Sequence, residues 1–181
     1  MRAIPATLPD LLVFEPEVYN DARGYFFESF NQREFEQLAG ISRTFVQDNF
    51  SHSVRGVLRG LHYQIKFPQG KLLRVVAGEM FNVAVDLRRS SRTFGKWFGL
   101  ALSAENKKML WIPEGFAHGF VTLSSYAECL YKVTNYWVPE HERSILWNDP
   151  DLAIDWPLPG EPMLSSRDSN GLHFRDAKVF A

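Results

Sequence analysis

The strongest constraint on the fold is a succession of short apolar runs, separated by turn residues, that fills most of residues 72–137. In residues 80–87 every second position, starting at Phe81, carries Phe, Val, Val and Leu, and this period of two is the pattern of a β-strand. Further runs of this kind are residues 97–102, 109–112, 118–123 and 127–137. Such spacing predicts an all-β sandwich or barrel.

Two turn signals indicate where strands change direction. Residues 21–24 interrupt the β-branched and aromatic residues of the segment 13–30 and predict a turn. Residues 77–79 separate the run 72–76 from the run 80–87, and we expect these two runs to pair as a hairpin.

Helical signals are few. Residues 31–38 predict a helix, because Asn31 can cap it, Glu34 completes a capping box and Gly40 follows its end. Residues 139–181 are rich in proline, and we expect a wrapping C-terminal segment with a short helix near residues 165–170. The whole chain, residues 1–181, is expected to form a single domain, since 45% hydrophobic residues allow a full core.

The charge balance limits the classes of binding partner that we expect for this chain. Twenty Lys and Arg stand against 21 Asp and Glu, so we expect no binding to nucleic acid or to an anionic membrane. No apolar run approaches the roughly 20 residues of a membrane span, and residues 1–9 lack a signal-peptide pattern. The single cysteine, Cys129, fits a reducing compartment, and we expect a cytoplasmic protein.

The segment 45–51 has an unusual polarity for a sandwich strand. Gln47, Asn49 and Ser51 share one face of the strand, whereas Asp48 and Phe50 share the other. Either this is an edge strand near a loop, or its polar face lines a ligand-holding interior.

A second polar segment follows at residues 55–64. Arg59 and His62 are three positions apart and would lie on opposite faces of a regular strand. A bulge or bend at Gly60 would turn both toward one cavity. From the residues alone, His62 is as compatible with a structural role as with a catalytic one.

Residues 113–118 have the pattern PxGxxH before a strand, which resembles the second motif of the cupin superfamily. In many cupins this histidine, here His118, binds a metal together with an earlier His-x-His pair. Here His62 is followed by Gln64 in place of the second histidine, so the usual ligand set is incomplete and we expect no metal.

Several motifs together resemble one family in order and spacing. They are Asp21-x-Arg23-Gly24, Glu28-Ser29-Phe30, Gln47-Asp48-Asn49, Arg59-Gly60-Leu61-His62-Tyr63-Gln64, Lys71, Pro113-x-Gly115-Phe116-Ala117-His118-Gly119, Tyr131-Lys132 and Asn148-Asp149-Pro150. From about residue 4 to residue 168 the chain resembles the dTDP-4-dehydrorhamnose 3,5-epimerases. The resemblance implies a cupin-type double-stranded β-helix (jelly roll), a homodimer, and an isomerase without metal or organic cofactor.

The resemblance also implies a reaction. A dTDP-linked 4-keto-6-deoxy sugar, dTDP-4-dehydro-6-deoxy-D-glucose, would be inverted at C3 and C5 to give dTDP-4-dehydro-L-rhamnose. Inversion next to a ketone requires a base on one face, an acid on the other and a charge-stabilising group at the oxygen. By resemblance His62 is the base, Asp168 orients it, Tyr131 is the acid and Lys71 lies near the keto oxygen.

Other interpretations of these residues remain open at this point. Ser165 and Asp168 also form a capping box, Tyr131 also fits a packed strand position, and Lys71 also fits a solvated strand start.

Substrate-binding positions follow from the same resemblance. Those matching positions that meet the diphosphate or sugar are Arg23, Arg59 and His118. Those matching positions that meet the nucleotide are Glu28, Gln47, Asp48 and Asn49. Glu142 and Arg167 complete the set, while Tyr19, Tyr136 and Trp137 are either pocket-wall or core residues.

Three rival functions are compatible with the sequence. One is a relative that inverts only C3 or only C5 of a nucleotide-linked 4-keto-6-deoxyhexose. The second is a non-catalytic sugar-binding cupin, which predicts the loss of His62, Tyr131 or Asp168, although all three are present. The third is a metal-dependent cupin.

Overall fold

The computed structural model describes residues 1–158 and 160–181 and consists mainly of β-strands. In chain order the elements are β1 (Arg2–Pro5), β2 (Leu12–Glu15), β3 (Tyr19–Asp21), β4 (Gly24–Phe26), α1 (Gln32–Ala39), β5 (Gln47–Val54), β6 (Leu58–Gln64), β7 (Lys71–Ala77), β8 (Glu79–Asp86), β9 (Trp97–Ser103), β10 (Met109–Ile112), β11 (Phe116–Thr122), β12 (Tyr126–Val133), β13 (Glu142–Ser144) and α2 (Ser166–Ser169). Short 3₁₀ turns lie at Pro139–His141 and Phe174–Asp176.

Two antiparallel sheets form the body of the molecule. The six-stranded sheet has the order β1-β2-β10-β7-β12-β5, and the five-stranded sheet has the order β13-β6-β11-β8-β9. Their facing sides share one core, to which both sheets contribute, with Leu73 and Val75 from β7 and Met80 and Ala84 from β8. The predicted all-β jelly roll with short helices is therefore confirmed.

The expected hairpin across residues 77–79 is wrong. Strand β7 pairs with β10 and β12, whereas β8 pairs with β9 and β11, so the two runs belong to opposite sheets. Gly78 makes the crossing with a φ of +70°, and a Cβ there would lie 2.1 Å from the Tyr126 carbonyl oxygen. Apolar strands on both sides of a glycine turn fit a sheet-to-sheet crossing as well as a hairpin, and only tertiary pairing separates the two.

The two other local predictions near the N-terminus are confirmed. The β3–β4 hairpin turns at residues 21–24. Helix α1 begins after Asn31, whose side chain accepts a hydrogen bond from the Glu34 N–H at 3.2 Å, and it ends at Gly40 with a φ of +66°. The helix packs Phe35 against Trp111 and Phe14, and so covers part of the outer side of the six-stranded sheet.

The C-terminal segment covers the outer side of the five-stranded sheet. Leu152 and Trp156 from this segment are buried in one cluster with Val83 and Val85 of β8. The segment includes the predicted short helix, α2, and also strand β13, which the sequence did not predict. Pro159, one of the prolines on which the prediction rested, lies outside the described residues. Among the helices in the described ranges, none has the length and apolar character needed to cross a membrane.

Candidate active site

A cavity of about 360 Å³ opens between the two sheets. Its lining combines polar groups from both walls with a few apolar side chains. The predicted site residues among the lining are Gln47, Asn49, Arg59, His62, Lys71, His118, Tyr131, Glu142 and Arg167. The remaining lining residues are Ser51, Gln69, Leu73, Phe120, Cys129 and Trp137. The polar face of residues 47–51 thus lines an interior, as one of the two interpretations of that strand required.

Gly60 allows Arg59 and His62 to line the same cavity. It has a φ of +132°, and the pairing of β6 with β11 shifts register beside it. A Cβ at this position would lie 2.4 Å from the Gly119 Cα, so only glycine fits between the strands. The bend predicted at Gly60 is present, and it is the reason that two residues of opposite parity share one wall.

His62 is held from behind by a buried carboxylate. Its Nε2 lies 2.6 Å from Asp168 Oδ1, and Asp168 is 3% exposed. Burial alone would raise the pKa of Asp168, but hydrogen bonds from His62, Ser165 and the Gly60 N–H outweigh it and lower the pKa to about 2. The carboxylate is therefore ionised at neutral pH. It fixes the neutral imidazole with the proton on Nε2, which leaves Nδ1 as the basic nitrogen.

Ser165 supports the histidine–carboxylate pair, although the sequence suggested only a capping role for it. Its hydroxyl accepts the Asp168 N–H at 3.2 Å as the N-cap of α2, and it donates to Asp168 Oδ2 at 2.6 Å. The capping box and the histidine–carboxylate pair therefore coexist, because Asp168 is a member of both. The Ser-x-x-Asp spacing is the signal that identifies Ser165.

Tyr131 and Lys71 lie on the wall opposite His62. Tyr131 belongs to β12 and Lys71 to β7 of the six-stranded sheet, whereas His62 belongs to the five-stranded sheet. Burial raises the pKa of Tyr131, so the phenol keeps its proton at neutral pH. Burial lowers the pKa of Lys71 to about 8, against the opposing pull of Glu142, so most of the amine is still cationic at pH 7.

A hydrogen-bonded chain crosses one side of the cavity. Glu142 pairs with Arg167 and accepts a hydrogen bond from Trp137 Nε1 at 2.6 Å. The Trp137 backbone N–H donates to Gln47 Oε1 at 3.1 Å, and Gln47 Nε2 donates to Asn49 Oδ1 at 2.8 Å. These bonds fix the amide of Asn49 with its NH₂ group free to donate.

Some predicted residues are not brought to the cavity. Asp48 lies on the opposite side of β5, 3.0 Å from Lys132 Nζ. Arg23 is on the exposed β3–β4 hairpin, where it pairs with Asp21 at 2.6 Å. Glu28 follows that hairpin and borders a separate depression. Of the three aromatic residues whose role was open, Trp137 lines the cavity, whereas Tyr19 and Tyr136 are exposed and outside its lining.

The donor chemistry of the cavity does not favour a metal. Within residues 1–158 and 160–181, no group of three or more His, Cys, Asp or Glu side chains has a metal-binding arrangement. Gln64, at the position of the missing histidine, hydrogen-bonds the backbone of Phe67, Tyr136 and Val138 at 2.6, 3.2 and 2.8 Å. Its side chain therefore holds a loop in place.

Comparisons with known proteins show which family this chain resembles. The family model for dTDP-4-dehydrorhamnose 3,5-epimerase matches residues 5–176. A dTDP-4-dehydrorhamnose 3,5-epimerase of Pseudomonas aeruginosa is 62% identical over 180 residues, 99% of each chain.

Two solved structures extend the comparison. A dTDP-6-deoxy-D-glucose-3,5-epimerase of Legionella pneumophila, in complex with dTDP-4-keto-L-rhamnose, superposes with a TM-score of 0.95 at 51% identity, covering 98% of this chain and 94% of that one. A 3'-monoepimerase of Streptomyces bikiniensis, in complex with dTDP-quinovose, superposes with a TM-score of 0.89 at 34% identity, covering 97% and 88%. The resemblance carried by the ordered motifs is confirmed, and this chain belongs to the dTDP-4-dehydrorhamnose 3,5-epimerase family.

Proposed function

We propose that this chain inverts C3 and C5 of dTDP-4-dehydro-6-deoxy-D-glucose and forms dTDP-4-dehydro-L-rhamnose. The observation that carries the proposal is the placement of a carboxylate-held histidine and a protonated tyrosine on opposite walls of one cavity. A substrate between the sheets would present one face to His62 and the other to Tyr131. Inversion needs this two-sided arrangement, whereas simple binding does not.

His62 supplies the base. Its Nδ1 takes a proton from the carbon next to the ketone, and the electron pair of the broken C–H bond moves into an enolate whose charge is on O4. The imidazolium that forms is stabilised by Asp168, 2.6 Å from Nε2. This step requires an unprotonated Nδ1, and in the neutral ring the bond from Nε2–H to the carboxylate leaves Nδ1 as the nitrogen without a proton.

Lys71 and Tyr131 complete the cycle from the other wall. The Lys71 ammonium offsets the charge that develops on O4, and the low dielectric of a buried site strengthens that interaction. Tyr131 then donates its phenolic proton to the enolate carbon from the face opposite His62, which inverts the centre. Solvent reprotonates the tyrosinate and removes the proton from His62 before the second centre reacts.

The remaining cavity residues bind the substrate. Arg59 is aimed by hydrogen bonds from Nε to Ser53 Oγ and from a terminal nitrogen to the His52 carbonyl oxygen, both at 3.2 Å. A fixed guanidinium suits a diphosphate. The other binding residues are Gln47, Asn49, His118, Glu142 and Arg167. No metal or organic cofactor takes part, since each proton-transfer role has a side chain in the cavity.

A homodimer would supply two of the three binding residues that lie outside the cavity, Arg23 and Glu28. Arg23 lies in the turn of the β3–β4 hairpin and Glu28 follows it, and Tyr25 and Phe26 of this hairpin are 60% and 70% exposed. Aromatic side chains this exposed are unusual on a free surface and common at interfaces. We therefore assign the hairpin of one copy to the cavity of a second copy. Residues 1–181 of each copy act as one epimerase domain, and the enzyme works in the cytoplasm. Asp48, beside Lys132 on the outer side of β5, would serve the nucleotide only in such an assembly.

The alternative is inversion of a single centre. It is favoured by the similarity to the Streptomyces bikiniensis 3'-monoepimerase, since one base and one acid serve either outcome. An NMR time course in D₂O with dTDP-4-dehydro-6-deoxy-D-glucose separates the two. Deuterium at both C3 and C5 with inversion at each supports the proposal, and exchange confined to one carbon supports the alternative. Absence of exchange at either carbon would refute both.

A further inference from the structure

Asn82 is a polar side chain buried directly behind the cavity. It lies on β8, is 0% exposed and is not part of the cavity lining. On the neighbouring strand, His118 is opposite Ala84, so Asn82 is its diagonal neighbour on the same side of the sheet. The Asn82 Oδ1 atom lies 3.1 Å from His118 Nε2.

The hydrogen bonds of Asn82 determine which nitrogen of His118 carries a proton. The Asn82 amide nitrogen donates to the Met80 carbonyl oxygen at 3.2 Å, and a carbonyl oxygen can only accept. The amide oxygen therefore faces His118, and because it too can only accept, Nε2 must bear the hydrogen. The other ring nitrogen, Nδ1, has no hydrogen-bond partner among the described residues.

The surroundings also keep His118 neutral. Burial, followed by the charge of Lys71 and the proximity of His62, lowers the pKa of His118 well below 6.5. The other titratable groups that line this cavity are Arg59, Arg167, Glu142, Tyr131 and Cys129, and Asp168 lies behind His62. A neutral ring with its proton directed at Asn82 can offer the cavity an acceptor and no positive charge.

We propose that Asn82 is a positioning residue that holds His118 in its Nε2–H tautomer, so that Nδ1 accepts a hydrogen bond from a hydroxyl of the sugar. The inference rests on the proposed function for the identity of that sugar. The proposal also decides between the two contacts expected of His118, the diphosphate and the sugar, because a neutral acceptor repels a diphosphate oxygen and attracts a hydroxyl. Asn82 thereby contributes to sugar orientation without touching the substrate.

The tautomer is tested first in the unmodified protein, with no substrate present. Long-range ¹⁵N–¹H correlation spectra of ¹⁵N-histidine-labelled protein at pH 7 distinguish the two neutral tautomers and the imidazolium. The His118 signals are assigned by their absence in His118→Gln. The Nε2–H tautomer supports the proposal, and either the Nδ1–H tautomer or the imidazolium overturns it.

The role of Asn82 is tested by Asn82→Asp, which keeps the side-chain shape and still accepts from Nε2–H. A carboxylate here raises the pKa of His118 and places a proton on Nδ1, turning the acceptor into a donor. We expect kcat/KM at pH 7 to fall by about 10-fold or more and to recover partly as the pH rises, in addition to the ascending limb that the base His62 gives both proteins. Asn106→Asp, in the exposed turn after β9, is the matched control and should keep the native profile. An unchanged pH profile in Asn82→Asp would overturn the proposal.

Binding of dTDP, which lacks the sugar, identifies the contact of His118. By calorimetry, His118→Gln should bind dTDP within about 2-fold of the native affinity, whereas a loss of 10-fold or more would assign His118 to the diphosphate and overturn the proposal. A native protein that shows the Nε2–H tautomer yet exchanges no sugar proton in D₂O would refute the proposed function and leave the tautomer assignment standing.

Discussion

Replacing Asp168 with asparagine removes the charge behind His62 and keeps the shape of the side chain. The asparagine oxygen can still accept from His62 Nε2 and from the Gly60 N–H, which bond Asp168 Oδ1 at 2.6 and 3.1 Å. Its NH₂ group would face the Ser165 hydroxyl, which can turn to accept. The tautomer is therefore preserved, and the variant isolates the electrostatic contribution of the carboxylate.

The magnitude follows from the charge that His62 acquires. An imidazolium and a carboxylate about 4 Å apart between charge centres interact by about 4 kcal/mol at an effective dielectric constant near 20. The neutral ground state lacks this attraction, so its loss raises the barrier to proton abstraction. Allowing for partial charge in the transition state, we expect Asp168→Asn to lower the rate of exchange at C3 and C5 by about 10²–10³-fold.

The same change has a pH signature in stability. The native pKa of Asp168 is about 2, below its usual value of 3.8, which corresponds to about 2 kcal/mol of stabilisation by the ionised form. Because the folded-state pKa is lowered, this stabilisation is present above about pH 4 and is lost as the pH falls toward 2. The free energy of unfolding of the native protein should therefore exceed that of Asp168→Asn by about 2 kcal/mol at pH 7, and this difference should become smaller toward pH 2.

Two measurements check this prediction. Deuterium exchange by NMR gives the rate, and urea unfolding at several pH values gives the free energy of unfolding. Ser166→Ala, at an exposed position of the same helix, should match the native protein in both. Exchange within about 3-fold of the native rate in Asp168→Asn would refute the assignment of Asp168 as the group that stabilises the imidazolium.

Three other perturbations test the remaining groups. Tyr131→Phe should incorporate deuterium faster than it inverts either centre, because His62 can return a proton to the original face; native-rate inversion would exclude Tyr131 as the acid. Lys71→Met should slow exchange by ~10²-fold or more through loss of the cation at O4. In the native protein the exchange rate should decline above about pH 8, because Lys71 loses its proton there. The same decline in Lys71→Met would contradict this cause. Prolonged EDTA treatment should leave activity intact, and a metal whose removal and return abolish and restore activity would overturn the cofactor-free mechanism.

The side-chain polarity of single strands was predictable from sequence. A strand alternates its faces strictly, so the polar set Gln47, Asn49 and Ser51 had to face one side, and the structure places it in the cavity. The departure from this rule at Gly60 was also predictable, because glycine adopts the positive φ that such a bend requires. These features are local, and local geometry is what a short stretch of sequence determines.

Pairing between distant segments was not predictable in the same way. The β7–β8 turn crosses between sheets because β7 pairs with β10 and β12, whereas β8 pairs with β9 and β11. The residues near Gly78 do not indicate which strands these partners are. Residues Glu142–Ser144 lack strong strand propensity and form a strand because the edge of β6 is open to them. The sequence does not distinguish Asn82, because it is one polar position in an apolar strand and its partner His118 is 36 residues away.

Burial shifts the pKa values of several groups in this cavity, and the direction of the shift differs between them. It lowers the pKa of Lys71 to about 8 and that of His118 well below 6.5, and it raises that of Tyr131. The same burial raises the pKa of Cys129 to about 12, so the thiol stays neutral and does not compete as a base. The pKa values of Asp168 and Glu142 are lowered against the effect of burial, that of Asp168 to about 2, because hydrogen bonds converge on each carboxylate. A neutral acceptor, a protonated acid, a cation and an ionised carboxylate thus coexist near pH 7, and the apolar side chains of Leu73 and Phe120 maintain the low dielectric on which these differences depend.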